Sequence, residues 1–321
     1  MIDLIFSFFS KIVGISKLII FAPMKKDSPL IIYPLLVIAM VFWSFSFIWA
    51  KQALVSYNPI TIIYLRTIVA SVILFLILLV SRKRIKIRLK DLPIFIILAF
   101  FEPFLYFLGE TNGLTRVDAS TAGIIIGTIP LFTPIVAYFF LKERISMLNI
   151  IGIVLSVIGV AIMTFDANLN MQVSPEGLML LGVAILATLG YTVAVKKIPD
   201  EYSVFTITLY QNIIGSVMFL PLVIIFERDN IMQTGFVWDS VFPIIELGIF
   251  ASAAAFVCYT YTLRYIPIAR ANIFTNLIPV FTLFLSAFLL GEEINIQKII
   301  GITVVLTGVF VAQAKKNTVI K

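Results

Sequence analysis

The sequence has no histidine and a single cysteine, Cys258, among its 321 residues. The lack of histidine removes the commonest general base, metal ligand and pH switch of proteins. One cysteine forms no disulfide within the chain, and it excludes zinc or iron–sulfur sites that need several thiolates. We therefore expect no metal site, no cofactor and no enzymatic activity.

Charge is also scarce. Only 13% of the residues are charged and 61% are hydrophobic, whereas soluble domains carry about 25% charged residues. So little charge cannot cover a water-facing surface, so a lipid bilayer is the expected surrounding. The net charge of +7 comes from basic residues in short loops between apolar runs, which indicates membrane orientation rather than nucleic-acid binding.

Apolar runs of about 18–25 residues, the length that a spanning helix requires, recur along the chain. We predict an all-α protein of the cell membrane with ten transmembrane helices. Their predicted bounds are 31–50, 59–81, 92–113, 119–141, 146–165, 176–195, 203–226, 241–263, 271–290 and 296–314.

Lysine and arginine predict the orientation. If both termini face the cytoplasm, the outer loops hold only Lys51, Arg116, Arg228 and Lys298 of the 24 basic residues, and Arg66 lies within a span. Cytoplasmic loops of membrane proteins carry such an excess. The bias therefore supports ten spans with both termini inside, and 315–321 is expected to be a basic cytoplasmic tail.

Residues 1–24 are predicted to form an amphipathic helix on the inner leaflet, with an eleventh span as the alternative. Their polar residues are spaced by four and three positions, which places them on one face of a helix. They are Asp3, Ser7, Ser10, Gly14 and Lys17.

The two halves of the chain resemble each other at an offset of 149 residues without a gap. Matched proline, glutamate and glycine residues are more informative than shared apolar letters. These matches are Pro130 with Pro279, Glu143 with Glu292, Gly152 with Gly301, and Gly159 with Gly308.

Residues 31–165 and 174–314 are thus expected to form two repeats of five helices. Because five is odd, the second repeat enters the membrane from the opposite side. Inverted repeats of this kind are the architecture of many secondary transporters, whose substrates bind near mid-membrane where the repeats meet.

Several sequence motifs stand out along the chain. They are Phe-Trp-Ser-Phe-Ser-Phe-Ile-Trp-Ala-Lys (42–51), Tyr-Leu-Arg-Thr-Ile-Val-Ala (64–70), Ile-Pro-Leu-Phe-Thr-Pro (129–134) with Leu-Lys-Glu-Arg (141–144), and their counterparts Ile-Pro-Val-Phe-Thr (278–282) with Leu-Gly-Glu-Glu (290–293). These motifs resemble those of EamA-type proteins of the drug/metabolite transporter superfamily. The resemblance covers residues 31 to about 314. It implies ten helices, two EamA repeats, transport of small metabolites, and a cavity from which helices 5 and 10 are excluded.

Apart from residues at the span ends, four acidic or basic residues fall inside predicted spans, where charge is costly and often functional. They are Arg66, Glu102, Glu110 and Glu246. Glu102 precedes Pro103, which can kink the helix, and is a candidate for binding a substrate amine or carrying a coupling proton. The alternative is a buried, hydrogen-bonded or ion-paired carboxylate. The alternative interpretation of Glu110 and Glu246 is that each is a solvated carboxylate at a helix end.

Arg66 matches Gln211 when helices 1–2 are overlaid on helices 6–7 at an offset of 145, which also places Lys51 on Lys196. A buried guanidinium can clamp a substrate carboxylate. We favour instead a structural ion pair with a glutamate of helix 3.

Polar and aromatic residues within the spans complete the candidate site. Such groups give a pocket its polar contacts, although they also bridge helices. They are Trp43, Ser46, Tyr106, Tyr191, Gln211, Tyr259, Asn272 and Asn276. Pro130 and Pro279 are hinge candidates, and the glycines of helices 5 and 10 are assigned to helix packing or to a homodimer contact.

These features predict a gradient-driven transporter of small molecules, such as amino acids or amphipathic amines, that works by alternating access. Export is the expected direction and a proton the candidate coupling ion. No Walker A motif is present in the sequence, so ATP hydrolysis is unsupported. A flippase of lipid-linked substrates, an integral membrane enzyme and a channel remain alternatives.

Overall fold

The structure is a computed structural model that describes residues 29–81, 86–132, 147–165, 171–266, 271 and 274–313. The predicted amphipathic helix at 1–24 and the predicted tail at 315–321 lie outside the described residues.

Local chemistry explains where several helices begin. Ser174 accepts a hydrogen bond from the Gly177 backbone N–H at 3.3 Å, and Pro175 follows it as the first helical residue. Ser203 accepts from the Thr206 N–H at 3.1 Å. Serine at the cap satisfies a backbone donor that the helix leaves free, and proline in the first turn lacks that donor altogether.

The described residues are helical, apart from loops and one isolated bridge between Phe165 and Met171. Within the described ranges, seven helices are long and apolar enough to span a membrane, and three are shorter apolar helices. We label them α1 Pro29–Ala53, α2 Pro59–Val80, α3 Leu89–Leu114, α4 Ala119–Phe132, α5 Met147–Thr164, α6 Pro175–Val195, α7 Val204–Thr234, α8 Trp238–Thr262, α9 Phe274–Leu290 and α10 Ile296–Gln313.

Helix α3 is interrupted at its centre. Phe100–Leu105 forms a wide π-helical turn in which Glu102 has an extended backbone (φ −140°, ψ 120°). Two glycines on neighbouring helices accommodate this turn, because a Cβ on Gly190 would collide with the Phe101 ring and a Cβ on Gly215 would lie 3.0 Å from Cδ of Pro103. The interruption turns the Glu102 carboxylate towards the middle of the bundle.

Helix α7 is longer than the sequence suggested. The predicted span ends at residue 226, but the helix continues through a wide turn at Val223–Glu227 to Thr234, and α8 begins at Trp238. The wide turn directs the Glu227 carboxylate to the first turn of α2. There it accepts hydrogen bonds from the Ile60 and Thr61 backbone N–H groups at 3.1 and 2.6 Å. The polar end of α7 thus supplies the carboxylate that caps the N-terminus of α2.

Helices α5 and α10 pack against each other. Their glycines allow this approach: a Cβ on Gly159 would lie 2.8 Å from the Gly301 carbonyl oxygen, and a Cβ on Gly308 would lie 2.6 Å from that of Gly152. Ser156 also donates to the Val305 carbonyl across the contact at 3.0 Å. The glycine faces that the sequence left open for a homodimer are therefore occupied within one chain.

Polar contacts tie the helices together at both ends of the bundle. At the end that carries loop 54–58, Glu292 accepts from the Ala119 and Ser120 N–H groups at 2.6 and 3.0 Å and so caps α4. Lys298 pairs with Asp118 there at 2.9 Å.

The opposite end carries loop 196–203. Tyr202 donates to Asp91 at 2.6 Å and accepts from the Arg88 N–H at 3.0 Å. The hydrogen bond to Asp91 raises the pKa of Arg88 above its ordinary value. Lys196 donates to the Leu263 carbonyl at 2.8 Å.

Candidate functional site

The halves of the chain enclose a cavity to which α1, α2, α3, α4, α6, α8 and α9 contribute side chains; we call it the central cavity. About 50 Å³ is open to the centres of water-sized molecules. None of the described lining residues comes from α5 or α10. The lining consists of Trp43, Ser46, Phe47, Arg66, Glu102, Tyr106, Phe107, Glu110, Ile126, Ile129, Thr188, Tyr191, Phe256, Tyr259, Thr275 and Ile278.

Arg66 and Glu110 form the charged centre of one wall. Nη1 of Arg66 lies 3.9 Å from Oε2 of Glu110, and Tyr106 donates to the other carboxylate oxygen at 3.2 Å. The guanidinium is held by a hydrogen bond from Nε to Ser252 at 2.9 Å and by the Phe107 ring 3.9 Å beneath it. Nη1 has no hydrogen-bond partner among the described residues. The arginine thus keeps a free donor at the cavity.

Glu102 lies on the same helix as Glu110 but has a different environment. It is 5% exposed, and its described hydrogen bond comes from the Thr188 hydroxyl at 3.3 Å. None of the described residues forms an ion pair with it, because the described partner of Arg66 is Glu110. A buried carboxylate without a cation is costly unless it is neutralised, so Glu102 is a candidate for binding a proton or a cation.

Aromatic rings form another part of the cavity lining. The Trp43 ring packs against Phe256 and Tyr259 at centroid distances of 5.3 and 5.1 Å, and Tyr191 packs against Phe256 at 6.0 Å. The Tyr191 hydroxyl lies 3.4 Å from the Thr260 hydroxyl. Ser46 donates back to the Trp43 carbonyl at 2.6 Å. Apolar walls with a few fixed polar groups are typical of small-molecule sites.

Most predicted site residues thus meet in one place. The structure brings together Trp43, Ser46, Arg66, Glu102, Tyr106, Glu110, Tyr191 and Tyr259.

Three described candidates lie outside this lining. Gln211 is buried in α7 outside the cavity lining, and Glu246 lines a separate groove at the end with loop 54–58. Asn276 is 5% exposed next to the lining residue Thr275, and its side chain has no described hydrogen-bond partner. Asn272 lies outside the described residues.

Sequence reasoning missed Thr188, the hydrogen-bond donor to Glu102. Its signal was faint, because a threonine in an apolar span is ordinarily a helix-bridging or self-bonded residue. Its place on the helix gave a better clue, since it lies three residues before Tyr191 and therefore on the same face. Phe107 and Phe256 were missed for a related reason, because phenylalanine is common throughout these spans.

The two hinge candidates lie next to breaks in their helices. Helix α4 has a turn at residues 127–128 just before Pro130, and α9 changes from a 3-10 turn at Phe274–Asn276 to a regular helix at Leu277, two residues before Pro279. The two helices meet here, since a Cβ on Gly127 would lie 2.7 Å from Cγ of Pro279.

Comparison with known proteins agrees with this architecture. A protein of Archaeoglobus fulgidus described as an uncharacterized transporter is 28% identical over 281 residues, 88% of this chain and 98% of its own. The uncharacterized transporter YetK of Bacillus subtilis is 29% identical over 79% of this chain and 78% of its own. A protein of known crystal structure shares the fold with a TM-score of 0.65, at 15% identity, over 87% of this chain and 96% of its own.

The family pattern itself matches twice. The sequence pattern of the EamA-like transporter family fits residues 30–165 and again residues 175–313, which together cover most of the chain. With its apolar helices, the protein is a multi-pass protein of the cell membrane. The chain belongs to the EamA-like transporter family.

Proposed function

We propose that the protein is a gradient-driven secondary transporter that exports small metabolites, such as amino acids or amphipathic amines, by alternating access. The observation that carries the proposal is that one aromatic-lined cavity holds both Glu102, which has no ion-pair partner among the described residues, and Arg66, whose Nη1 has no hydrogen-bond partner among them. The family membership and the names of its relatives support transport as the activity.

Glu102 is the proposed coupling or amine-binding residue. The cavity is bounded by apolar and aromatic groups, so a charge at Glu102 is weakly screened and strongly attracts a counter-charge. A substrate ammonium or a proton satisfies the same carboxylate in turn. Exchange of one for the other would couple export of an amine to proton entry.

Arg66 is the proposed partner of an acidic group on the substrate. Its Nε is fixed by Ser252 and its plane by Phe107, so the free Nη1 is preorganised for an anion. An α-amino acid would place its carboxylate here and its ammonium at Glu102. An amine without a carboxylate would use Glu102 alone.

The size of the cavity supports a conformational cycle. A volume of about 50 Å³ has room for about four water molecules, whereas ligand pockets enclose about 300–1,000 Å³. Substrate therefore enters only when the helices separate. In alternating access this separation would occur at one end of the bundle at a time.

The contact between α5 and α10 supports an inverted repeat. The offset of 149 residues relates Gly152 to Gly301 and Gly159 to Gly308. The contact between Gly152 and Gly308 therefore has an equivalent between Gly301 and Gly159, and the structure contains both contacts. Equivalent contacts of this kind arise when antiparallel helices are related by a two-fold axis. We propose that the axis lies in the membrane plane, with ten spans and both termini in the cytoplasm.

Labelling with a membrane-impermeant maleimide tests this topology. In a Cys258→Ala background, Val55→Cys at loop 54–58 should react in intact cells, because Val55 is 83% exposed. Lys197→Cys at the other end should react only after permeabilisation. The reverse pattern would invert the orientation.

Proteoliposome flux tests the function. Uptake and efflux of a panel of amino acids, amines and nucleoside metabolites would be measured with and without a pH gradient. Glu102→Gln should abolish the response to the gradient, whereas Glu293→Gln, an exposed carboxylate, should leave it intact.

Saturable flux that ignores both the gradient and Glu102→Gln would reject proton coupling through Glu102. Absence of flux for every compound, with folded protein, would reject transport of these metabolites in favour of a flippase or an enzyme.

A further inference from the structure

A second concave site lies between the end of α1 and the start of α8; we call it the α1–α8 groove. Its volume is about 620 Å³, within the range of small-molecule sites and far larger than the central cavity. The two sites share no lining residue. The groove is lined by Trp49, Gln52, Val55, Ser56, Val237, Trp238, Asp239, Ser240, Phe242, Pro243 and Glu246.

The charge of the groove has one sign. Among the described lining residues, Asp239 and Glu246 are charged and none is a lysine or an arginine. They stand seven residues apart, so they share a face of α8. Glu246 is partly buried and Asp239 is exposed. No described residue forms a hydrogen bond or an ion pair with either side chain. Their combined field therefore favours a cation.

The walls of the groove are aromatic. Trp49 is 9% exposed and its ring stacks on Phe45 at 5.3 Å, which fixes its position. Trp238 is 56% exposed, and its ring packs against Phe242 at 6.2 Å. Tryptophan faces attract organic cations by cation–π interaction and also accept apolar groups.

Hydrogen bonds hold the two walls at a fixed separation. The Ser240 and Ser56 hydroxyls lie 2.9 Å apart. Tyr57 donates to the Gly235 carbonyl at 2.8 Å and accepts from the Val237 N–H at 3.1 Å. The groove is thus formed before any ligand arrives, which lowers the cost of binding.

We propose that the α1–α8 groove binds an amphipathic organic ammonium ion, with its head beside Glu246 and Asp239 and its apolar body against Trp49, Trp238 and Phe242. Two carboxylates without a cation supply the charge complement, and the aromatic rings supply the apolar surface. The site stands apart from transport through the central cavity and does not depend on the role of Glu102.

The three tryptophans of the chain allow each site to report by itself. Trp43 lines the central cavity, whereas Trp49 and Trp238 line the groove. The Trp43→Phe variant therefore reports on the groove, and the double variant Trp49→Phe/Trp238→Phe reports on the cavity. Binding would be followed by tryptophan fluorescence of purified protein in phosphatidylcholine nanodiscs, with phenethyltrimethylammonium as the probe.

The groove reporter should show saturable binding of this cation. Glu246→Gln in the same background should weaken it at least about tenfold, or about 1.4 kcal/mol, whereas Glu102→Gln should leave it unchanged. The anion 4-phenylbutyrate, which has a similar size and the opposite charge, should bind far more weakly. If Glu246→Gln does not fold, Asp239→Asn on the exposed rim should weaken binding of the cation at least about threefold.

Three results would overturn the proposal. Equal binding of the cation and the anion would assign the groove to apolar contacts alone, and unchanged affinity in the folded carboxylate variants would remove the charge recognition. Displacement of the probe when phosphatidylethanolamine replaces phosphatidylcholine would assign the groove to a lipid headgroup rather than to a free amine. Loss of flux with intact groove binding would reject the proposed function but not this site.

Discussion

Nη1 of Arg66 lies 3.9 Å from Oε2 of Glu110, a separation that gives an ion pair without a hydrogen bond. Both side chains are almost completely buried, at 2% and 4% exposure. Glu110 also accepts a hydrogen bond from the Tyr106 hydroxyl. Arg66 donates to Ser252 and lies over the Phe107 ring. The pair is therefore well supported on its outer sides and loosely joined at its centre, where a substrate carboxylate would bind.

Removal of one member of this pair should destabilise the protein. Glu110→Gln or Arg66→Met leaves a buried charge without a partner, which costs about 3–5 kcal/mol. Replacement of both should cost clearly less than the sum of the single changes. Unfolding in detergent micelles measures this double-mutant cycle. Glu102→Gln is the matched control, because Glu102 has no described ion pair and should stay close to wild-type stability.

Additive losses in this cycle would contradict the ion pair. They would mean that each side chain is held by its other contacts alone.

The wide turn of α3 should be sensitive to the glycine behind it. Gly215→Ala places a methyl group against the Pro103 ring, so the turn has to shift and to carry Glu102 with it. We expect at least a tenfold loss of transport with a modest loss of stability, about 1–3 kcal/mol. Gly182→Ala is the control, because a Cβ there meets nothing within 4 Å. Equal flux in both variants would contradict a positioning role for the turn.

A glycine substitution at the contact between α5 and α10 should lower stability without changing substrate binding. Gly159→Ala forces the helices apart, because its Cβ would lie 2.8 Å from both the Gly301 carbonyl and the Val305 nitrogen. Overpacking of this kind costs about 1–3 kcal/mol. Since neither helix lines the central cavity, the thermal midpoint should fall while the KM of transport stays unchanged. A changed KM at full stability would contradict this separation of packing from binding.

Carboxylate caps supply a third stability test. Glu227 is 6% exposed and accepts from two backbone N–H groups and from the Thr61 hydroxyl. Glu227→Gln should therefore cost about 2–3 kcal/mol. Glu292→Gln, which removes the charge from a more exposed cap, should cost about 1 kcal/mol.

The neighbouring Glu293→Gln provides the control, because its carboxylate is exposed and should contribute little. Chemical unfolding of the three variants orders these effects. Equal losses at positions 292 and 293 would mean that the cap at α4 is not specific.

Prediction from the sequence succeeded where one physical rule dominates. The length of apolar runs locates the helices, because the bilayer has a fixed thickness. Polar residues inside such runs gather at one cavity, because lipid excludes them from the outer faces. Arg66, Glu102 and Glu110 were proposed in this way, and all three line the central cavity.

The remaining features depend on how each helix is rotated about its axis and where it ends, and the sequence specifies neither. Glu246 is polar in an apolar run like Glu102, yet α8 presents it to the groove because it lies near the helix end. Helix α7 continues past its apolar run, and Glu227 in this extension caps α2 through a contact between residues 166 positions apart in the chain. Long-range contacts of this kind leave no local pattern.

The pairing of α5 with α10 has a consequence for biosynthesis. Ser156 contacts Val305, and the 149 residues between them take about 7–30 s to translate at 5–20 residues per second. During that interval the glycine face of α5 has no partner, so lipid or a membrane chaperone must cover it. The first half therefore acquires all of its packing contacts only after α10 has been translated. A truncated chain without α10 should be recognised as incompletely assembled and degraded.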